Sequence, residues 1–169
     1  MSLAINYNFA FHGSKADLLE RLASVRDKIA KLDVQAVDEL AEIPSTDISA
    51  GPTKADGLAF SLNISMNYYL HVHALRAGEV IKPDELSSSK ERNGAGFHVE
   101  VSEGCEPVTV FLGRVGHSQT WFGSGSTKTM GAADFIETHE TVVTILKICQ
   151  KAGILESVYD EAGLWEQTA

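Results

Sequence analysis

The chain has 169 residues, of which 44% are hydrophobic and 22% are charged, close to the averages for globular domains. A chain of this length is expected to form a single domain, residues 1–169, that buries about two-thirds of its unfolded surface, which excludes global disorder. Its 23 acidic and 14 basic residues give a net charge of -9, which repels phosphate backbones and argues against a nucleic-acid partner.

Features that would direct the chain to a membrane or out of the cell are not expected. The sequence has no run of about 18 apolar residues, so no membrane-spanning helix is predicted. The first apolar run is interrupted by Asn6 and Asn8, so it does not resemble a signal peptide. Two cysteines, Cys105 and Cys149, are too few for a disulfide framework. The sequence therefore predicts a cytoplasmic protein.

The N-terminal segment predicts a strand followed by a long helix. Alternate residues from Ile5 to Phe11 are apolar, which is typical of a half-buried strand. The helix covers residues 14–32, with Ser14 as its N-cap and one apolar stripe along its length. The members of that stripe are Leu18, Leu22, Val25, Ile29 and Leu32.

The segment after this helix fits two structures. Residues 34–43 could form a short helix that ends before Pro44, or a strand, and the helix is favoured. Residues 44–57 concentrate proline, glycine, serine and aspartate, so they predict a loop.

Residues 60–73, FSLNISMNYYLHVH, alternate between apolar and polar positions over their whole length. Only a strand places alternate residues on the same side, so a long strand with a local bulge is predicted over 58–73. Its apolar face would be buried, and its polar face ends in His71 and His73.

The second half of the chain predicts a hairpin, a further strand and a second long helix. Residues 81–96 are expected to be a polar loop, and residues 96–115 a hairpin that turns at SEGCEP. Residues 119–124 predict a strand that ends at the glycines of GSGS. A helix is predicted over 131–152, with apolar residues at helical spacing from Phe135 and Ile136 to Cys149, and the tail should pack back on the domain.

Long alternating strands each have one buried and one wetter face, and amphipathic helices are the natural cover for the buried side. The sequence therefore predicts an α+β fold in which two long helices, about 14–32 and 131–152, pack on one face of an antiparallel sheet.

Histidines on predicted strands supply one candidate metal site. His71 and His73 point the same way from their strand, and His98 and Glu100 lie opposite the apolar positions of the hairpin. If both strands share one sheet, these four residues lie on its outer face. Imidazole and carboxylate together suit zinc, iron or manganese. The alternative is that the histidines of this face are solvated or pair with neighbouring acids.

Other candidate motifs have simpler explanations. GSGSTKTMG, residues 123–131, lies between a strand and a helix but lacks the glycine that a phosphate-binding loop has before its lysine. Cys105 lies in an acidic turn, which raises a thiol pKa and argues against a nucleophile. Cys149 and His139 fall on the buried stripe of a helix, so a core position is expected for both.

Three functions fit these patterns. The first is a non-catalytic binding protein, such as an inhibitor, an immunity-type protein or a secretion chaperone, whose acidic surface docks a basic protein partner. Two acidic blocks, residues 33–56 and 131–169, support it, with Asp38, Glu39 and Glu42 or Asp134, Glu137 and Glu140 as the docking face.

The second function is an apolar small-ligand binder, because the order of elements is similar to that of helix-grip folds, in which a curved sheet wraps the last helix. The third is a metal-dependent enzyme that uses the histidine face. The sequence identifies no organic cofactor.

Overall fold

The computed structural model describes residues 3–46, 92–115 and 117–168. Within these ranges the chain forms seven strands and three helices. In chain order they are β1 (Ala4–His12), α1 (Lys15–Ile29), β2 (Ala36–Val37), β3 (Ala41–Thr46), β4 (Arg92–Glu100), β5 (Val108–Val115), β6 (Thr120–Lys128), α2 (Phe135–Lys151), β7 (Leu155–Asp160) and α3 (Leu164–Gln167).

The strands form one antiparallel sheet in the order β2-β4-β5-β6-β1-β7, and β3 also pairs with β4. The first strand lies inside the sheet, between β6 and β7, which come from the last third of the chain. The predicted hairpin is present, because β4 and β5 pair from Arg92 opposite Val115 to Val99 opposite Val108.

Both long helices cover the same face of the sheet, which confirms the predicted α+β architecture. The alternating residues of β1, the apolar face of the β4–β5 hairpin and the buried sides of both helices belong to one hydrophobic cluster. The helical members that contribute are Leu18, Leu22, Val25, Ile29, Val142, Val143, Ile145, Leu146 and Cys149. None of the helices in the described residues has the length and apolar content needed to cross a membrane.

The N-termini of both long helices are capped as their sequences require. The Ser14 hydroxyl accepts a hydrogen bond from the Asp17 N–H at 3.2 Å, as predicted. The Asp134 carboxylate accepts one from the Glu137 N–H at 3.1 Å. The second helix therefore begins at Phe135 and not at residue 131. Its first turn leaves Phe135 and Ile136 exposed, so the prediction that they join the buried stripe was wrong.

The helix favoured over residues 34–43 was wrong, because this segment forms β2 and β3. Helical spacing of the apolar residues was outweighed by hydrogen bonds to the edge of β4, a tertiary effect that local patterns do not contain. The Gln35 N–H donates to the Glu100 carbonyl at 2.8 Å, and the Asp38 N–H donates to the His98 carbonyl at 3.0 Å.

Two predicted loops also contain strand residues. The loop expected over 44–57 begins inside β3, and the loop expected over 81–96 ends inside β4. The strand expected to stop at GSGS continues through it to Lys128. The predicted strand at 58–73 lies outside the described residues. The tail packs on the domain as predicted, through pairing of β7 with β1, and ends in α3.

Close neighbours explain two glycines of β6: a Cβ atom at Gly123 would lie 1.7 Å from the Phe111 carbonyl oxygen of β5, and Gly125 is covered by an aromatic side chain. On the helix-covered face, Phe9 lies opposite Gly123 and Tyr7 lies opposite Gly125. A Cβ atom at position 125 would lie 2.4 Å from the Tyr7 ring, so the ring occupies the space that a side chain would fill. Such aromatic cover is a known way to stabilise glycine in a strand.

The Tyr7 ring reaches across β6 and binds a third strand. The Thr109 N–H of β5 donates to the Tyr7 hydroxyl at 3.1 Å, and that hydroxyl bonds to Thr127 Oγ1 at 2.9 Å. Thr127 Oγ1 in turn donates to the Pro107 carbonyl at 3.1 Å. Burial raises the pKa of Tyr7 to about 12, so the phenol stays protonated and donates to Thr127. One side chain therefore connects β1, β6 and β5.

We expect Gly125→Ala to lower the free energy of unfolding by about 1–3 kcal/mol, because the new methyl group overlaps the Tyr7 ring. Urea denaturation would measure the loss. Ser126→Ala, on the exposed opposite face, is the matched control and should change stability by less than about 0.5 kcal/mol. Equal stabilities of the two variants would show that the position of the Tyr7 ring does not require glycine at residue 125.

Candidate functional site

An acidic groove of about 410 Å³ lies between the α1–β2 connection, the β4–β5 turn and the first turns of α2. Among the described residues that line it, four carry carboxylates and none is basic. The four acids are Asp33, Glu103, Asp134 and Glu137. They come from three separate parts of the chain, so only the folded structure brings them together.

Close backbone packing holds the sides of the acidic groove in place. Gly104 in the β4–β5 turn lies against Gly131, and a Cβ at either glycine would come within 2.3 Å of the other's carbonyl oxygen. The Ser102 and Thr138 hydroxyls are 2.9 Å apart and form a hydrogen bond. The turn is thereby fixed beside the start of α2, which places Glu103 and Asp134 on the same concavity.

Two of the four acids also stabilise the helix. Asp134 caps α2, and Glu137 lies in its first turn, where negative charge offsets the helix dipole for about 0.3–1 kcal/mol per group. Asp33 and Glu103 lie on other elements and have no capping role. Stabilisation of α2 therefore does not explain why these two acids lie in the groove.

Neighbouring carboxylates change the titration of Glu137. A hydrogen bond with Asp134 and the negative charge of that residue raise the pKa of Glu137 above its ordinary value, and the charges of Asp33 and Glu140 act in the same direction. Negative charges therefore lie near Glu137, and a cation bound beside it would be stabilised by them.

Two acids of the first block are already engaged with basic residues. Glu42 forms an ion pair with Lys15, and Glu39 lies 3.5 Å from Arg26. Asp38, Glu39 and Glu42 are not part of the acidic groove, whereas Asp134 and Glu137 of the second predicted docking face are. Glu140 lies outside the lining and contributes its charge. Sequence reasoning missed Asp33 and Glu103 as members of the site, since neither has a local motif.

The predicted metal ligands are only partly within the described residues. His98 and Glu100 lie on the outer face of β4, as predicted, opposite Thr109 and Ala36 respectively. The His98 ring nitrogen Nδ1 bonds to Thr109 Oγ1 at 3.0 Å. Across residues 3–46, 92–115 and 117–168 no group of three or more histidine, cysteine or acidic residues could hold a metal ion. His71 and His73 lie outside the described residues, so the four-residue metal site stays a prediction.

A buried histidine network joins α2 to the C-terminal segment. His139 Nδ1 lies 2.8 Å from Thr129 Oγ1, and its Nε2 lies 2.8 Å from Asp160 Oδ1. A hydroxyl, an imidazole and a carboxylate in this order resemble the parts of a hydrolase triad. All three residues are at most 5% exposed, so a substrate cannot reach the hydroxyl. The network is structural, as was predicted for His139.

Asp160 has a second role at the end of β7. Its carboxylate accepts hydrogen bonds from the Ala162 N–H and the Trp165 N–H, both at 2.9 Å. Burial raises the pKa of Asp160, but the bonds from Trp165, Ala162 and His139 outweigh it, so the pKa lies below its ordinary value. The ionised carboxylate therefore stabilises the turn that leads into α3.

Neither cysteine has the character of a nucleophile. Burial and the charge of Glu106 raise the pKa of Cys105 to about 11. An upward shift of this pKa was predicted from the acidic turn. Burial raises the pKa of Cys149 to about 12. At neutral pH both thiols stay protonated, and the thiolate is the reactive form.

We expect Asp160→Asn to lower the free energy of unfolding at pH 7 by about 1.5–3 kcal/mol, because hydrogen bonds to a buried charge are lost. Since the pKa of Asp160 is lowered in the folded state, its contribution is present above about pH 4 and disappears as the pH falls through the folded value. Urea denaturation between pH 7 and pH 2 would measure both effects. Glu156→Gln, exposed on the same strand, is the control, and an Asp160→Asn curve parallel to wild type would contradict the assignment.

No protein-family model, curated protein or solved structure matches this chain, so the acidic groove is the basis for assigning its function.

Proposed function

We propose that the protein is a non-catalytic binding protein that docks a basic segment of a partner protein in the acidic groove. The observation that carries this proposal is the convergence of four carboxylates from three chain segments on one concavity. Asp134 and Glu137 also stabilise the start of α2, as its cap and in its first turn. Asp33 and Glu103 have no such role.

The charges in the acidic groove are available to a partner. Within the described part of the chain, none of the four acids forms an ion pair with a basic side chain. Lysine and arginine are the side chains whose charge complements such a surface. Individual exposed ion pairs contribute about 0–1 kcal/mol, so a partner with several basic residues is required for useful affinity. The same field would speed its association.

The shape of the acidic groove also suits long basic side chains. Its volume of about 410 Å³ is within the range of about 300–1,000 Å³ typical of ligand pockets. Val34, Val101 and Ala133 contribute apolar surface to its lining. Lysine and arginine can lay their methylene stems along apolar surface while their charged ends reach carboxylates.

The same features weigh against the two other predicted functions at this location. An apolar small ligand would have to displace water from carboxylates without replacing their hydrogen bonds, which is unfavourable. Among the described residues, the hydroxyl of the histidine network and both thiols are unsuited to nucleophilic attack. A metal-dependent enzyme would rely on the predicted histidine face, and the two members of it within the described residues, His98 and Glu100, do not line the acidic groove.

A fluorescent peptide of ten lysines is the probe for the acidic groove. We expect the double variant Asp33→Asn/Glu103→Gln to bind it about two- to tenfold more weakly than wild type in a fluorescence anisotropy titration, because two ion pairs are lost. Increasing the salt from 0.1 M to 1 M should weaken wild-type binding, since the Debye length falls from about 10 Å to about 3 Å.

The matched control is Glu20→Gln/Glu156→Gln, which removes the same charge from exposed positions on α1 and β7. Equal weakening in the two double variants would assign the binding to net charge and contradict the proposal. Neither pair of substitutions touches the helix cap, so circular dichroism and melting temperature should match wild type.

Binding of this peptide should also depend on pH. Because the pKa of Glu137 is raised, this group begins to take up a proton at a higher pH than an ordinary glutamate, and each proton removes a charge that attracts lysine. We expect affinity to fall as the pH decreases from 7 to 4. Glu137→Gln should flatten that dependence in the same titration, and an unchanged profile would exclude Glu137 from the binding surface.

A further inference from the structure

Three exposed apolar residues lie at or just before the start of α2, and together they are called the apolar patch. It consists of Met130, Phe135 and Ile136, whose exposed fractions are 44%, 38% and 60%. These are three of the four large hydrophobic residues that are exposed in the described chain, and they fall within seven positions. The fourth, Tyr159, lies alone on β7. Single exposed hydrophobic residues are ordinary, but a cluster indicates a contact surface.

The apolar patch and the acidic groove share the first turn of α2. Asp134 and Glu137 line the groove, and Phe135 and Ile136 lie between them in sequence. Successive helical residues point about 100° apart, since the helix has 3.6 residues per turn. Ile136 therefore points to a different flank of the helix from Glu137. A binding segment that contacts both surfaces has to cross the end of the helix.

We propose that the docked segment of the partner is amphipathic: lysine or arginine side chains enter the acidic groove, and neighbouring apolar side chains cover Met130 and Ile136. This inference rests on the proposed function and adds the class of partner sequence. The width of a helix with its side chains is about 10 Å, which about three extended residues span. Basic and apolar positions in the partner are therefore only a few residues apart.

Charge decides which occupant fits the apolar patch. A second copy of this chain would also carry a net charge of -9, and Glu137 and Glu140 flank Ile136 in the same helix. Like charges at such a contact oppose self-association. A basic amphipathic segment relieves the same repulsion, so it complements both the charge and the apolar surface.

Two labelled ten-residue peptides test the inference on the full chain. One contains five lysines and five serines, and the other contains five lysines, three leucines and two serines. Burial of a large apolar side chain strengthens binding, so we expect wild type to bind the leucine peptide at least about tenfold more tightly, which corresponds to about 1.4 kcal/mol. Met130→Ser/Ile136→Ser should remove this advantage and leave the affinity for the serine peptide unchanged.

Tyr159→Ser is the matched control, because it removes an equally exposed hydrophobic residue from β7, and it should retain the advantage. Equal affinity of wild type for both peptides would overturn the inference while leaving the proposed function intact. If Tyr159→Ser also binds the two peptides equally, the preference for the leucine peptide comes from general surface hydrophobicity, and the inference is overturned. Failure of both peptides to bind would overturn the proposed function itself. The comparison of the two peptides on the wild-type protein does not depend on whether any variant folds.

Discussion

The hydrogen-bonded Tyr7 side chain sets the geometry on which the rest of the molecule depends. Its ring lies across Gly125, and its hydroxyl ties β1 to Thr109 at the start of β5. Those contacts place β6 in the middle of the sheet and fix where the β4–β5 turn projects. The turn supplies Glu103, and the residues that follow β6 lead into α2 with Asp134 and Glu137. The position of the acidic groove therefore follows from packing inside the sheet.

Local periodicity predicted the parts of the fold whose contacts repeat along the chain. The alternation of β1, the stripe and Ser14 cap of α1 and the alternating residues of the hairpin each need only neighbours in sequence to be recognised. Residues 34–43 were assigned wrongly, because their helical spacing is real but their backbone bonds to β4. The glycines of β6 were also predicted to form a turn, because the contacts that require them are tertiary: the Tyr7 ring covers Gly125, and the β5 backbone at Phe111 lies against Gly123.

The acidic groove was harder to predict than the fold, because tertiary contacts bring its residues together. Glu137 and Asp134 could be proposed from the second acidic block, whereas nothing local indicated that Asp33, at the edge of the first block, and Glu103, in the β4–β5 turn, would join them. The first block has six acids against seven in the second, and Lys15 and Arg26 pair with two of its members. Charge density along the sequence is therefore a weak guide to charge density on the surface. What distinguishes the acidic groove is the convergence of four carboxylates from separate parts of the chain.

The place of β1 in the sheet also constrains how the protein forms on the ribosome. Tyr7 and Thr127, which bond to each other, are 120 positions apart, and synthesis of that length takes roughly 6 to 24 seconds at about 5–20 residues per second. During that interval the apolar side of β1 has neither of its final neighbours, β6 and β7. The nascent chain must shield Ile5, Tyr7, Phe9 and Phe11 by provisional contacts or by a chaperone until the strands on either side of β1 emerge.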